Sequence, residues 1–151
     1  MDFLITLSSP EAGLWGLFLA SFLAATLLPG GSEAVLFGVL QLHPEQAALA
    51  LLLATLGNTL GGMTTYAMGR LIPQKVGAGD TARFAERHAV TLTRWGPVAL
   101  LMAWMPVMGD ALCAAAGWLR LPWLPCLLWM ATGKAARYGL IVLLAARFNG
   151  A

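Results

Sequence analysis

The chain alternates between long apolar stretches and short polar breaks. Residues 12–32 and 46–69 carry no charged side chain, and another apolar run begins at Trp95. About 20 apolar residues cross a hydrocarbon core of about 30 Å, so stretches of this length predict membrane-spanning segments. A long final helix is predicted from about Trp123 to Arg147. The pattern predicts an all-α, polytopic integral membrane protein that forms a single domain over its 151 residues.

Two acidic residues, Glu33 and Asp110, interrupt this apolar pattern. A carboxylate within a membrane costs about 2.5–3.5 kcal/mol even on insertion scales, so it is usually retained for a pathway or a proton. Each acid follows a break rich in proline and glycine: Pro29, Gly30 and Gly31 before the first, and Pro106 and Gly109 before the second. Broken backbone at membrane depth is tolerated where it lines a cavity, so we expect these residues to form hairpin tips.

A short apolar arm follows each break. The arms, Ala34–Leu42 and Ala111–Leu119, have about nine residues and would extend only about 14 Å as helices, roughly half the hydrocarbon core. This length favours two re-entrant hairpins that enter and leave by the same face. In the alternative interpretation, residues 12–28 form a thin full crossing.

The two halves of the chain share a plan. Half one covers about residues 12–70, a linker covers 71–94, and half two covers about 95–147. Gly57 follows Glu33 by 24 positions, and Gly133 follows Asp110 by 23. One hairpin and one crossing in each half would make the halves enter from opposite sides. Such an inverted-topology repeat places its site near the midplane, between the repeats.

Basic residues are concentrated in the linker. No lysine or arginine precedes Arg70, and the net charge of the whole chain is only +2. The positive-inside rule therefore predicts that the linker is cytoplasmic, and the small net charge gives no indication of nucleic-acid binding. Within the linker, residues 81–93 have the pattern of an amphipathic helix. This helix either lies on the membrane surface or connects the halves in solution.

The candidate chemistry combines the two acids with two cations near the middle of the last predicted helix. Glu33 and Asp110 are candidate proton-coupling residues because burial raises, and a helix N-terminus lowers, the pKa of such a carboxyl. Lys134 and Arg137 lie one turn apart on the last helix and must face protein or water. They either form a structural salt bridge with an acid or bind an anionic head group, which suits a guanidinium.

Three further polar residues are assigned to the candidate substrate site. Ser32 is predicted to cap the returning arm of the first hairpin. Asn58 is expected to hydrogen-bond to a hairpin tip, next to the Gly57–Gly61 pair that is typical of close helix packing. Arg120, in the turn before the last helix, is a further cation for an anionic group.

Familiar enzyme motifs are missing from the sequence. There is no phosphate-binding loop, zinc-protease motif, nucleophile elbow or acidic cluster for magnesium. Cys113 and Cys126 lie in apolar segments and predict neither a disulfide framework nor a metal site. We therefore expect a transporter or lipid-handling protein rather than an enzyme, with no metal or cofactor, that interacts with membrane lipids and protons. A site between halves is also compatible with a homodimer.

Three motifs resemble the bacterial DedA family, whose membrane domain is also called the SNARE-associated or VTT domain, and in particular its short YqaA-like branch. The motifs are Leu28-Pro29-Gly30-Gly31-Ser32-Glu33, Gly57-Asn58-Thr59-Leu60-Gly61-Gly62 and Trp104-Met105-Pro106-Val107-Met108-Gly109-Asp110. The resemblance covers about residues 14–147. It implies an inner-membrane protein with two facing re-entrant hairpins. It also implies recycling of the carrier lipid undecaprenyl phosphate and proton-motive-force homeostasis.

The chain departs from this family at the second hairpin. Typical members flank the hairpin proline with arginines, as Arg-x-x-Pro-x-x-Arg, whereas this chain has Ala103 and Gly109 there. If those arginines bind lipid phosphate in the family, this chain must use Lys134, Arg137 or Arg120 instead, or bind another substrate. Two other functions stay open: a small proton-coupled exporter of cationic drugs, which the two buried cations would disfavour, and a non-transporting assembly factor.

Overall fold

The computed structural model describes residues 9–26, 31–73, 80–105 and 108–149. The described residues form helices and no strands, which confirms the all-α prediction. The α-helices are α1 Pro10–Ala24, α2 Ser32–Leu42, α3 Ala47–Leu71, α4 Asp80–Trp95, α5 Met108–Trp118 and α6 Trp123–Asn149, and the 3₁₀ helices are Pro44–Gln46 and Gly96–Trp104. Pro29, Gly30 and Pro106, which the sequence assigns to the hairpin tips, lie outside the described residues.

Two helices are long and apolar enough to cross a membrane. One is α3 with its preceding 3₁₀ turn, Pro44–Leu71, and the other is most of α6, Trp123–Phe148. By contrast, α2 and α5 have 11 residues each. At 1.5 Å per residue each is about 17 Å long, little more than half of a hydrocarbon core. Each of the short helices ends in a turn that leads directly into a long one.

Within each half, a glycine of the long helix lets the first segment approach closely. A Cβ on Gly57 would lie 2.5 Å from the Phe18 carbonyl oxygen, and one on Gly61 would lie 2.5 Å from that of Phe22. In the second half, a Cβ on Gly133 would collide with the Leu101 carbonyl oxygen. The backbones of α1 and α3, and of the long 3₁₀ helix and α6, therefore touch.

Between the halves, each short helix packs against the long helix of the other half: α2 against α6, and α5 against α3. The α3–α5 crossing is tight, because Gly69 lies against the Ala114 carbonyl and Gly117 lies against the Tyr66 carbonyl. The side chain of Tyr66 ties down the turn after α5 by donating a 2.5 Å hydrogen bond to the Leu121 carbonyl. Arg70 in turn donates a 2.8 Å hydrogen bond to the Tyr66 hydroxyl and so helps to hold the Tyr66 side chain in place.

Buried residues form two apolar clusters, one for each half. The second-half cluster is Tyr66, Leu92, Ala99, Leu100, Ala103, Leu112, Cys113, Ala115, Ala116, Cys126 and Met130. The first-half cluster is Leu14, Leu17, Leu36, Val39, Leu40, Ala50, Ala54, Tyr138 and Ala145. Each cluster includes a tyrosine from the other half, so polar hydroxyls lie where the halves meet.

The amphipathic segment of the linker forms α4, which is slightly longer than the predicted 81–93 and packs against α5 and the long 3₁₀ helix. Leu92 is its anchor in the second-half cluster. The long 3₁₀ helix begins at Gly96, whose φ of 59° is a left-handed conformation that glycine adopts without strain, and Pro97 lies in its first turn. A 3₁₀ run of nine residues is unusual, since most such runs have three or four.

Candidate functional site

Charged side chains from both halves meet on one face of α6. Arg137 forms an ion pair with Glu33, which the first turn of α2 presents to it. The two side chains are 18% and 29% exposed, so the pair lies at the edge of the packed interior. The free-energy cost of removing each charge from water is offset here by the opposite charge on the facing helix. The sequence named both residues, and the structure brings them together.

The position of Glu33 follows from how α2 begins. Gly31 is the N-cap of this helix and has a φ of 108°, a conformation that other residues rarely adopt. As a glycine it has no side chain to cap the helix. The helix starts at Ser32, so Glu33 lies in the first turn, where unpaired amides favour a carboxylate. The prediction that Ser32 is the N-cap was wrong: the N-cap is Gly31, one residue earlier, and the serine hydroxyl bonds to a side chain of another helix.

That hydroxyl bonds to Tyr138, a residue that the sequence analysis did not assign to the site. Ser32 Oγ and the Tyr138 hydroxyl oxygen lie 2.9 Å apart, and both side chains are fully buried or nearly so. The Arg137 guanidinium carbon also lies 5.8 Å from the centre of the Tyr138 ring. A tyrosine four residues after Lys134 shares its helix face, and this spacing could have identified Tyr138 from the sequence.

Lys134 is enclosed between the two long helices. Its side chain is 1% exposed, and Nζ donates a 2.6 Å hydrogen bond to the backbone carbonyl of Asn58 on α3. Gly62, one turn along, leaves the space for this ammonium group: a Cβ there would lie 2.9 Å from Nζ. The Asn58 side chain points the other way and donates to the Ser21 carbonyl at 3.0 Å. The Asn58 side chain therefore fastens α3 to the body of α1, whereas the sequence analysis expected it to bond to a hairpin tip.

Asp110 approaches the same face of α6 from the second half. It lies in the first turn of α5, is half-buried, and interacts electrostatically with Lys134. Among the described residues, Arg137 and Glu33 form the salt bridge of this site, so Asp110 and Lys134 attract each other without a direct salt bridge. Glu33 thus pairs with Arg137, and Asp110 lies within electrostatic range of Lys134, one turn away on α6.

Ala103 and Gly109, the positions at which the sequence departs from the DedA pattern, form a tight apolar contact. Ala103 is buried, and a Cβ on Gly109 would lie 2.6 Å from the Ala103 carbonyl oxygen. No side chain, and least of all a guanidinium, fits at Gly109 without separating α5 from the long 3₁₀ helix. The positive charge of the site therefore comes from α6 in this chain.

Arg120 does not join this group. It lies exposed in the turn between α5 and α6, with a left-handed φ of 55°. Lys134 lies 11 residues beyond the start of α6 at Trp123, which is about 16 Å along the helix axis. The structure thus brings Glu33, Asp110, Lys134, Arg137, Ser32 and the Asn58 backbone together, and leaves Arg120 apart.

The two apolar helices and the buried charges between them define a helical integral membrane protein with an ionisable interior. A protein named inner membrane protein YqaA, from Escherichia coli K12, is 45% identical over 130 residues, which cover 86% of this chain and 89% of that protein. The YqaA protein of Shigella flexneri gives the same values. The chain belongs to the YqaA family of inner membrane proteins, which places it in the bacterial inner membrane.

A more distant relative covers a similar span. A Haemophilus influenzae protein is 37% identical over 140 residues, which cover 87% of each chain. No protein-family model matches the chain, and no solved structure matches it. The comparisons therefore support the YqaA-like branch that the motifs indicated.

Proposed function

We propose that this chain is a DedA-like transporter that couples protons to the translocation of an anionic lipid or lipid phosphate, such as undecaprenyl phosphate, across the inner membrane. The proposal rests on one observation above all. Glu33 and Asp110 lie in different halves of the sequence; Glu33 pairs with Arg137, and Asp110 lies within electrostatic range of Lys134, one turn away on α6. Charges in a membrane interior are costly, and their convergence is what a proton-coupled anion site requires.

The proposed cycle exchanges a carboxylate for a phosphate as the partner of the cations. With Glu33 ionised, Arg137 is neutralised by its ion pair. A proton taken up by Glu33 converts it to the neutral acid, which leaves the guanidinium free to bind a phosphate by paired hydrogen bonds. Loss of the proton restores the ion pair and releases the lipid. Asp110 would act on Lys134 in the same way.

We also propose that the two halves form an inverted repeat with two re-entrant hairpins and a cytoplasmic linker. The packing supports this, because α2 against α6 mirrors α5 against α3, and Gly57 against Phe18 mirrors Gly133 against Leu101. Opposed hairpins could then open the site alternately to each leaflet. The small size of the chain is compatible with a homodimer.

A proteoliposome assay tests the transport step. Vesicles containing the protein and undecaprenyl phosphate are given a pH gradient, and phosphatase added outside then measures the lipid phosphate that reaches the outer leaflet. We expect transfer by the unaltered chain and a loss of about tenfold or more in the Glu33→Gln/Asp110→Asn double variant. The control is Glu11→Gln, an exposed acid in the first turn of α1, which should transfer normally.

The same vesicles separate the competing functions. Undiminished lipid transfer by the double variant would overturn the proposed coupling. Transport of a cationic dye without lipid transfer would indicate a drug exporter instead. If the unaltered protein moved neither, and the double variant changed only thermal stability, the chain would be a structural or assembly factor.

A further inference from the structure

An apolar groove lies beside the long 3₁₀ helix, away from the ionisable site. It is lined by Thr91 and Trp95 at the end of α4 and by Val98, Ala99, Leu101 and Met102 of the 3₁₀ helix, and has a volume of about 250 Å³. Pockets for whole small molecules are usually larger, at about 300–1,000 Å³. This groove therefore suits one segment of an elongated ligand.

The 3₁₀ conformation makes the wall of the groove straight. With three residues per turn, side chains at i and i+3 stand directly above one another, so Val98, Leu101 and Trp104 form a row along the helix axis. All three are exposed. At about 2.0 Å per residue, the nine residues of the 3₁₀ helix extend about 18 Å, close to half the hydrocarbon thickness of a bilayer. The same row in an α-helix would wind around the axis.

Two arginines border the end of the groove at α4. Arg87 lies four residues before Thr91, and Arg94 lies three residues after it, so both share its side of the helix. Both side chains are exposed. Glu86, which also is exposed, lies about 140° around the helix from Thr91, so the rim of the groove is positively charged.

The geometry points to a binding site for one anionic phospholipid. One acyl chain lies along the Val98–Leu101 row, and the phosphate is held by Arg87 and Arg94. Trp95 is 61% exposed at the junction of α4 and the 3₁₀ helix, and tryptophan is a residue type that favours the head-group boundary. A zwitterionic lipid would fill the groove equally well, but its net charge is zero, so it would gain less from the arginines. This site is independent of the transport proposed above.

Photo-crosslinking in vesicles tests the site. The protein is reconstituted in phosphatidylcholine with a small fraction of phosphatidylglycerol that carries a photoactivatable acyl chain, and crosslinks are mapped to residues 95–104 by mass spectrometry. The reference probe is phosphatidylcholine with the same acyl chain. We expect several-fold more crosslinking by the anionic probe, and a loss of about fivefold in Arg94→Gln, the value expected for one basic residue at an anionic surface.

The matched control is Arg83→Gln, which removes the same charge from the same helix about three turns farther from Trp95. It should change crosslinking by less than about twofold. A second variant, Val98→Trp, fills the groove and should suppress crosslinking by both probes beyond residue 98. Equal crosslinking by the two probes in the unaltered protein would show ordinary surrounding lipid only. Equal losses in Arg83→Gln and Arg94→Gln would show diffuse surface charge only. Either result overturns the site.

Discussion

At the scale of single residues, the molecule is organised around the ion pair of Arg137 with Glu33 and the buried ammonium group of Lys134. The acids Glu33 and Asp110 were identifiable because charged side chains are rare in apolar runs. Their partners were not, because which acid faces which cation depends on how four helices pack. The ion pair joins residues 33 and 137, at nearly opposite ends of the chain.

The Glu33–Arg137 pair should contribute measurably to stability. Either Glu33→Gln or Arg137→Gln leaves one half-buried charge without its partner, which we expect to cost about 1–3 kcal/mol. The double variant removes both charges and should recover part of that loss. Thermal unfolding in detergent measures all three variants. Strictly additive effects would contradict a direct interaction between the two side chains.

Lys134 should matter for transport more than for folding. Lys134→Met keeps a side chain of similar length and apolar character, and the Asn58 carbonyl keeps its place in α3, so stability should change by less than about 1 kcal/mol. Transfer of the lipid phosphate should be lost because a cation of the site is gone. The proteoliposome assay and thermal unfolding check the two halves of this expectation. A transport-competent Lys134→Met protein would exclude the lysine from the site.

A substitution at Gly62 should also impair transport, by displacing the Lys134 ammonium group rather than removing it. An alanine Cβ there would crowd the tips of Lys134 and Met130, which are flexible and can move, so Gly62→Ala should displace the ammonium without unfolding the protein. We expect reduced transport at nearly normal thermal stability. The control is Gly38→Ala, where the added Cβ meets nothing within 4 Å. Equal behaviour of the two variants would mean that the position of the ammonium is unimportant.

At the scale of elements, backbone contact between helices decides the packing. The α3–α5 crossing brings Gly117 against the Tyr66 carbonyl and Gly69 against the Ala114 carbonyl. In a membrane, where lipid is as apolar as the helix surface, such close contact supplies much of the attraction between helices. The sequence indicated the Gly57–Gly61 pair by its spacing. Gly69 continues that spacing, eight residues after Gly61, but the spacing does not indicate that it meets α5 while Gly57 and Gly61 meet α1.

Substitution at this crossing should therefore be more damaging than elsewhere. Gly117→Ala places a methyl group on backbone that cannot move independently, so we expect a loss of about 1–3 kcal/mol or more. Gly139→Ala, in the middle of α6, meets nothing within 4 Å and should be neutral or stabilising by up to about 1 kcal/mol. Thermal unfolding of the two variants in the same detergent makes the comparison. A stable Gly117→Ala protein would mean that the α3–α5 crossing is looser than described.

At the scale of the whole molecule, an inverted repeat would determine which ends of the two hairpins lie on the same side of the membrane. If α1 and α2 form a re-entrant hairpin, Glu11 and Glu45 face the same side. The corresponding hairpin in the second half would place Arg94 and Arg120 together on the other side. All four side chains are exposed and tolerate change. The inverted repeat thus makes a prediction that does not depend on transport.

Cysteine labelling tests this topology. Cys113 and Cys126 are buried and are first replaced by alanine, after which single cysteines are introduced at residues 11, 45, 94 and 120. We expect a membrane-impermeant thiol reagent, added to one side, to label residues 11 and 45 together and residues 94 and 120 only from the other side. Labelling of 11 and 45 from opposite sides would show that the first segment crosses the membrane fully.

The sequence by itself determined the class of protein and the boundaries of most helices. Apolar length, charge distribution and the Pro/Gly breaks are local properties, and they suffice to locate α3, α6 and the two acids. Tertiary structure alone decided which charges pair, that the Ser32 hydroxyl bonds to Tyr138 rather than capping the helix, and that the Asn58 side chain donates a hydrogen bond to α1. These pairings depend on the angle and depth at which the helices cross. Close backbone contact at a few glycines sets the angle and the depth, and a pattern along a single helix does not indicate which helix will be met there.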